Sequence, residues 1–513
     1  MVRIRRITFS LMIAVCVAIT GIPLNEPVYG EGTESAQSKD MRIYGIYMHR
    51  DNGEQVKTDR YGDATLIESG GQYLLIDTGA SKPIKDDTRT VIKSNIVSRL
   101  RSIGVTELDI YISHMHGDHT QGLDDICKEF KVNRVYLPAK GLCAEYMTPK
   151  GITIDQIYAQ RLKTINKEKA EVIYLAPESR KGIGGVATAH KLTVGHVTGV
   201  VMGPVGKFHM KDNYHNGFGS REGVYLNNTS LSTMFTCGKT KYLTCGDIEK
   251  QEENALIQRY GSKLDADIFK MNHHSLDSSN QSKFMSRVTP RWSYAEDHGY
   301  WGTNNDYSLA TALKYGYIYK VAANKANFII DVRGDTVRIY HDKNNNGKID
   351  ERPVTGWVKC GNRYQHYAGD GAARTAWAKI GGSTYYFSKS SGFRYGGTHT
   401  IGGVRCKFDS KCRLISPKKP TRAAMKGIKA GTGAKITVYW KQSIRANGYQ
   451  IYRSKTKNGT YTKVGTASKK ARSFTDKRLK KGQRYYYKVR GTRTFGGLTQ
   501  YGNFSNKKYT MAK

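Results

Sequence analysis

From Met41 onward, short apolar runs ended by turn residues alternate with stretches in which apolar residues recur at helical spacing. Ala64-Thr65-Leu66-Ile67 precedes a Gly70-Gly71 turn, and Tyr73-Leu74-Leu75-Ile76 runs into Asp77-Thr78-Gly79, predicting two strands. Val91, Ile92, Ile96, Val97, Leu100 and Ile103 then fall three and four residues apart, predicting a helix. Leu108 to Ile112 is the next strand, and it stops on Ser113-His114. Gly122 to Phe130 reads as a helix and Val132 to Leu137 as a strand, with further strands at Thr229–Phe235, Lys241–Thr244, Ile268–Met271 and Phe328–Tyr340. Such alternation predicts a layered α/β domain over residues 41–341.

The flanks carry other patterns. Arg3, Arg5 and Arg6 precede a charge-free run from Ile7 to Ile22 and small residues near Val28-Tyr29-Gly30, the layout of a secretory signal over residues 1–30. That run is too short for a membrane span, and no other stretch reads as transmembrane. The expectation is a secreted, cell-wall-associated chain whose mature form has no transmembrane segment. Residues 31–40 are a small, polar linker, and residues 342–355 a polar connector. Asp342, Asn344, Asn346, Gly347 and Asp350 fall where a calcium loop places its oxygens and its turn. Its closing position is Pro353 in place of a bidentate Glu, which favours an ordinary turn over Ca2+ at 342–350.

Over residues 356–412 a unit of about twenty residues recurs. Gly356-Trp357 and Ala376-Trp377 open two copies, and Tyr364 to Tyr367 and Tyr385-Tyr386-Phe387 supply their aromatic strands. A degenerate third copy runs from Gly396 to Phe408. Stacked hairpins follow from this pattern, with Trp357, Tyr364, Trp377, Tyr385 and Tyr386 as candidates for contact with choline or glycan. Residues 415–513 read as a β-sandwich, in which Leu479, Gly482 and Tyr485 have the spacing of a tyrosine corner.

Charge sharpens this division. Lys and Arg number 82 against 43 Asp and Glu, a formal net charge of +39, and residues 413–513 hold 27 basic residues against one acid, Asp476. A domain of that kind attracts polyanions, which outside a cell are wall polymers, anionic lipid headgroups and free DNA. Beyond Cys16 in the signal, Cys127, Cys143, Cys237, Cys245, Cys360, Cys406 and Cys412 are an odd, thinly spread set, neither a disulfide scaffold nor a zinc ribbon. Cys406 and Cys412 are near enough to pair locally, with free thiols the alternative.

The candidate chemistry lies in His114-Met115-His116-Gly117-Asp118-His119, directly after a strand. A loop leaving a strand sends alternate side chains to one side, so His114 and His116 can grip one metal while Asp118 and His119 present ligands to a second. Later strand ends offer Asp247, placed to bridge both, and the pair His273-His274. Asp77 suits an outer role, orienting the histidine loop.

The order Asp-Thr-Gly, His-x-His-x-Asp-His, Gly-Asp and His-His resembles the metallo-β-lactamase superfamily over residues 41–340. The resemblance implies an αββα sandwich with two Zn2+ at one edge, Mn2+ or Fe2+ being compatible with the same donors. It implies His114 and His116 on the first metal, Asp118, His119 and His273 on the second, and Asp247 between them, with His274 the alternative to His273. The stretch Tyr225 to Leu231 departs from the family pattern where a third motif has a histidine, which leaves Asn227, water or substrate to complete the first metal. His190, His196, His209 and His215 lie upstream as possible substitutes. That departure, with Asp267 to His274 and the domain order, is similar to secreted phosphorylcholine esterases and to the lactamase-like domain of competence proteins. The C-terminal domain resembles a fibronectin type III module.

The expected function is hydrolysis of a small phosphodiester or of a cell-wall or teichoic-acid-type substrate, by hydroxide that two cations make available near neutral pH. Asp118 serves the catalytic centre, and His274 or His298 is the candidate proton donor to the leaving group. An extracellular nuclease of the same fold, with nucleic acid as partner, and a non-catalytic wall adhesin are the alternatives.

Overall fold

The computed structural model describes residues 40–46, 62–79, 93–211, 220–296, 306–320, 327–342, 346–349, 353–360, 363–369, 371–389 and 392–513. The signal expected at 1–30, the linker to 39, His215, His298 and part of the 342–350 loop lie outside them.

Fifteen strands build the first domain. They are β1 (Asp40–Gly45), β2 (Thr65–Ser69), β3 (Gln72–Ile76), β4 (Glu107–Tyr111), β5 (Lys131–Pro138), β6 (Glu171–Leu175), β7 (Lys191–Val194), β8 (Val197–Gly203), β9 (Ser232–Cys237), β10 (Thr240–Thr244), β11 (Ile268–Lys270), β12 (Trp292–Ala295), β13 (Tyr317–Lys320), β14 (Asn327–Arg333) and β15 (Thr336–Asp342). One sheet has the order β15-β14-β1-β2-β3-β4-β5-β6 and the other β13-β12-β11-β10-β9-β8-β7. β3, β4 and β5 run parallel, as do β10, β11 and β12, so the loops after their C-terminal ends gather on one side of each sheet.

Three apolar cores account for the layering. Ile43, Ile67, Leu74, Phe235, Tyr242 and Trp292 come from both sheets and share one core. Leu100, Ile110, Ile126, Val135 and Ile165 join the first sheet to the helices Ser98–Ile103, Leu123–Glu129 and Ile154–Lys167. Leu243, Leu256, Phe269, Phe284 and Leu309 join the second sheet to Lys250–Tyr260, Ser282–Val288 and Asp306–Ala312.

Two expected strands differ in detail. The run expected at Thr229–Phe235 begins at Ser232, because Thr229 and Ser230 turn off the end of a short helix, Arg221–Asn227, by bonding back to Leu226 and Asn227. The long strand expected at Phe328–Tyr340 is a hairpin, since Gly334 takes φ 58° and folds β15 back on β14.

Beyond residue 353 the chain is β-rich. Gly356–Cys360 pairs with Arg363–Tyr367, and Ala376–Ile380 with Ser383–Phe387, each an antiparallel hairpin. The last domain has a three-stranded sheet and a five-stranded one, around a core with Trp440, Tyr449, Ile451, Tyr487 and Val489. Lys480 N donates to Tyr485 Oη at 3.1 Å, fastening the loop before the longest strand, Arg484–Phe495. All seven cysteines among the described residues are free, Cys406 and Cys412 included. No helix among the described residues is long and apolar enough to cross a membrane.

Candidate metal centre

The histidine loop leaves β4 through Ser113 and closes into a one-turn helix, Gly117–Thr120. Asp77, just past β3, braces it from outside. Its Oδ1 accepts from Ser113 N at 2.7 Å, its Oδ2 from Ser113 Oγ at 2.8 Å, and Oδ2 also lies 2.8 Å from His119 Nδ1. With that nitrogen held, His119 Nε2 faces Asp247 Oδ2 at 3.2 Å.

Asp247 arrives on the turn after β10. Gly246 precedes it at φ 55°, and a Cβ there would stand 2.9 Å from the side chains of Ser113 and Ser230. Glycine is what lets this turn lie against the histidine loop.

The His-His pair follows β11. His273, His274 and Ser275 hold φ values of 47°, 49° and 64° in succession. Left-handed conformations of this kind cost about 1–3 kcal/mol each. Here they send the two rings different ways. His274 Nε2 lies 3.2 Å from Asp247 Oδ2 and 3.4 Å from Asp118 Oδ2. His273 instead places Nδ1 2.9 Å from Ser278 Oγ and Nε2 3.3 Å from Asn227 Nδ2.

Asp63, which no motif marked, completes the arrangement. Its Oδ1 is 2.8 Å from His274 Nδ1, and its Oδ2 is ion-paired with the buried Lys270 Nζ. Asp63, His119, Asp247 and His274 each present an atom such that all four lie within 4.8 Å of one another. His114 Nε2 and His116 Nδ1 sit 2.8 Å apart beside them, and the His114 and His119 ring centroids are 4.2 Å apart.

A common construction links three of the rings. His114, His119 and His274 each have Nδ1 against an outer group, Ser113, Asp77 and Asp63 respectively, while Nε2 turns to the centre. An outer acceptor on one imidazole nitrogen fixes the ring and makes the other a better metal ligand.

The charges divide the rings. Burial, with the neighbouring His119 and His116, drives the His114 pKa well below its usual value; burial also lowers that of His116, and takes His273 to about 4. Lowered values favour the neutral imidazole, the form that binds a cation. Burial works the same way on His119 and His274, but Asp247, with Asp77 and Asp118 for one and Asp63 and Asp118 for the other, outweighs it and raises both well above the usual value. Burial opposes the charge on Asp247, yet His274 and His119 hold its pKa well below the ordinary carboxylate range.

The donor set fits a divalent cation. Asp247 Oδ1 is buried and lacks a hydrogen-bond partner, as does Asn227 Oδ1. Orphaned oxygens among imidazoles are what a cation satisfies. Access is one-sided: the side chains of Asp118 and His273 are 20% and 16% exposed, against 8% or less for His119, Asp247 and His274.

Of the other expected candidates, Asn227 donates to Glu249 Oε1 at 3.0 Å beside His273. His190 pairs with Glu178 and His209 with Glu145, each at 2.6 Å and away from the cluster. Asp342 is buried, ion-paired with Arg99, and accepts from Asn346 N and Gly347 N at 3.2 and 3.0 Å. In the hairpins, Trp357 meets Tyr385 at 5.1 Å and carries the Arg394 guanidinium 5.2 Å from its centroid, with Tyr364 at 4.4 Å from the same group. Trp377 packs on Tyr386 and donates its indole N–H to Gly496 O at 2.9 Å.

Residues 58–208 match the Metallo-beta-lactamase superfamily, a span that holds Asp63, Asp77 and the whole histidine loop. The chain carries a metallo-β-lactamase superfamily domain. The buried His/Asp cluster is compatible with a metal site. The chain is also similar to competence protein ComA of Neisseria gonorrhoeae, 21% identical over 238 residues, which cover 46% of this chain and 25% of that protein. It thus spans about a quarter of the length of that relative. Among solved structures, it is similar to a Fn3-like protein from Clostridium thermocellum, at 23% identity over 19% of this chain and 95% of that one, with a TM-score of 0.16. It is likewise similar to choline binding protein F from Streptococcus pneumoniae, at 26% identity over 16% of this chain and 26% of that one, with a TM-score of 0.14.

Proposed function

We propose that the metallo-β-lactamase domain is a two-metal phosphodiesterase, acting outside the cell on wall or teichoic-acid-type phosphodiesters in the manner of a phosphorylcholine esterase. The observation that carries the metal reading is Asp247, whose Oδ2 lies 3.2 Å from both His119 Nε2 and His274 Nε2 while its Oδ1 has no partner. His114 and His116 would hold one cation, Asp118, His119 and His274 the other, with Asp247 between. His274 takes the place first given to His273, because its Nε2 meets the carboxylates. Zinc suits this donor set, and Mn2+ or Fe2+ are the alternatives. The apolar core shared by the two sheets, and the helices packed outside each, support an αββα sandwich.

Bound cations supply Lewis acidity and lower the pKa of water in the site. The chain's own residues do the rest. Asp77 and Asp63 lock the His119 and His274 rings. Ser113 Oγ is bonded to Asp77 and Ser275 Oγ to the His274 carbonyl, and in this reading water, not a side chain, serves as the nucleophile. Asp118 and His273 line the open side, where the phosphate would enter, and Asn227 stands behind His273 to orient it. His274 is not retained as proton donor, since both its nitrogens face carboxylates.

A nuclease of the same fold is the second reading, favoured by the net charge of +39. A substrate panel decides between them: p-nitrophenylphosphorylcholine, single-stranded DNA, a thioester and a β-lactam, each with and without chelator. Chelator-sensitive turnover of the phosphorylcholine ester without cleavage of DNA is expected. Cleavage of DNA alone makes the chain a nuclease, and no turnover of any substrate with zinc present leaves the adhesin.

A further inference from the structure

The C-terminal domain presents a charged surface that includes no residue of the candidate metal centre. Along the strand Arg484–Phe495 the burial alternates, with Tyr485, Tyr487 and Val489 in the core and Arg484, Tyr486, Lys488 and Arg490 on the outer face. The neighbouring strand sets Tyr452 opposite Lys488 and Gln450 opposite Arg490. Lys488 Nζ lies 4.4 Å from the Tyr461 ring centroid and 4.2 Å from that of Phe504. The Arg490 guanidinium lies 4.0, 4.8 and 5.3 Å from the centroids of Tyr501, Phe504 and Tyr452.

Among the described residues, no acidic side chain pairs with Lys488 or Arg490. Asp476, the sole acidic side chain of residues 413–513, is 8% exposed and bonded within the domain to Arg453 at 2.9 Å and Tyr487 Oη at 2.8 Å. Lys488 feels the crowding, since burial and the nearby Lys507 and Arg490 lower its pKa. Like charges held together cost free energy that a bound anion relieves.

We propose that this outer face, centred on Lys488 and Arg490, binds a linear polyol-phosphate polymer. Alternate positions on a strand are about 6.6 Å apart, which spaces the cations along an extended chain of phosphates. Aromatic rings beneath them hold the long side chains in place, so less freedom is lost on binding. The same stacking argues against single-stranded nucleic acid. Base recognition of that kind uses open aromatic faces, and here the faces of Tyr461, Phe504 and Tyr501 are covered by Lys488 and Arg490. The surface deepens the wall-polymer part of the proposed function but uses no residue of the metal centre.

The test is binding of the full chain to poly(glycerol phosphate) across a salt series, against single-stranded and duplex DNA of equal phosphate number. In Lys488→Gln/Arg490→Gln the affinity is expected to fall about tenfold or more, and the slope of log affinity against log salt to shrink by about one per residue. Lys488→Arg/Arg490→Lys keeps the charges and is expected to keep binding. Lys429→Gln/Lys435→Gln, on the other sheet, is expected to change it little. Equal losses in the two neutralised pairs, or tighter binding of either DNA than of poly(glycerol phosphate), overturn the proposal. Binding is also expected to survive chelation, whatever becomes of hydrolysis; its loss with chelator overturns the placement on this face.

Discussion

Asp63 Oδ1 lies 2.8 Å from His274 Nδ1, while Asp63 Oδ2 is ion-paired with Lys270, a lysine buried to 2% exposure. The imidazole that meets Asp118 and Asp247 is thus held from behind by a carboxylate that is itself anchored. Outer carboxylates of this kind are worth about 10–100-fold in metal affinity. Asp63→Asn is expected to weaken zinc binding by that factor, measured against a competing chelator, with the circular dichroism of the fold unchanged. Lys270→Met strands Asp63 in the interior and is expected to cost about 3–5 kcal/mol in a denaturant titration.

The two adjacent histidines separate cleanly. His274→Ala is expected to remove close to one metal ion per chain by elemental analysis. His273→Ala is expected to keep the metal and to raise KM, because this ring faces Asn227 and the open side. Metal loss of the same size in both variants would sink the assignment.

A cation in this cluster would link metal binding to folding. Asp63, Asp77 and Asp247 are each 2% exposed or less, and the cluster they surround is stabilised by any cation that binds only the folded chain. Zinc at about a hundred times its Kd is expected to add about 2.7 kcal/mol, and a chelator to lower the Tm correspondingly. A Tm indifferent to both excludes a metal at this site.

Glu252 supplies a pH test away from the metal ligands. It is fully buried, accepts from Val205 N and Gly206 N at 2.8 Å each, and burial raises its pKa to about 7 against the opposing pull of those amides and of Arg180. The folded value lies above the unfolded one, about 4.3 for a free Glu. Its contribution is therefore complete below the unfolded pKa and is lost as pH rises through 7. The Tm advantage of the native chain over Glu252→Gln is expected to be greatest near pH 4.5 and to shrink by pH 8, an effect of at most about 3 kcal/mol.

Much of the candidate site was readable because its side chains sit just past strands whose apolar runs are plain. Leu108 to Ile112 announces the histidine loop, and Lys241 to Thr244 announces Asp247. Asp63 was not legible: it belongs to no motif, and only pairing of β2 with β1 and β3 brings it across from Lys270. Nor was the choice between His273 and His274, which rests on three successive left-handed residues, a backbone feature that side-chain pattern does not encode. At Tyr225–Leu231 the sequence shows the departure from the family pattern but not the bonds its asparagines make. Asn228 Oδ1 accepts from Glu249 N and Glu252 N, holding the start of the helix Lys250–Tyr260.

Trp292 of β12 donates its indole N–H to Tyr367 Oη at 2.9 Å, and Tyr367, from the first hairpin, is buried in the core shared by the two sheets. The hairpin array is therefore no freely exchangeable cassette. A graft or truncation whose seam falls at residue 355 would open a ring-sized hole in the core between the two sheets, so shuffling of these modules, by an engineer or by recombination, has to carry the first hairpin along.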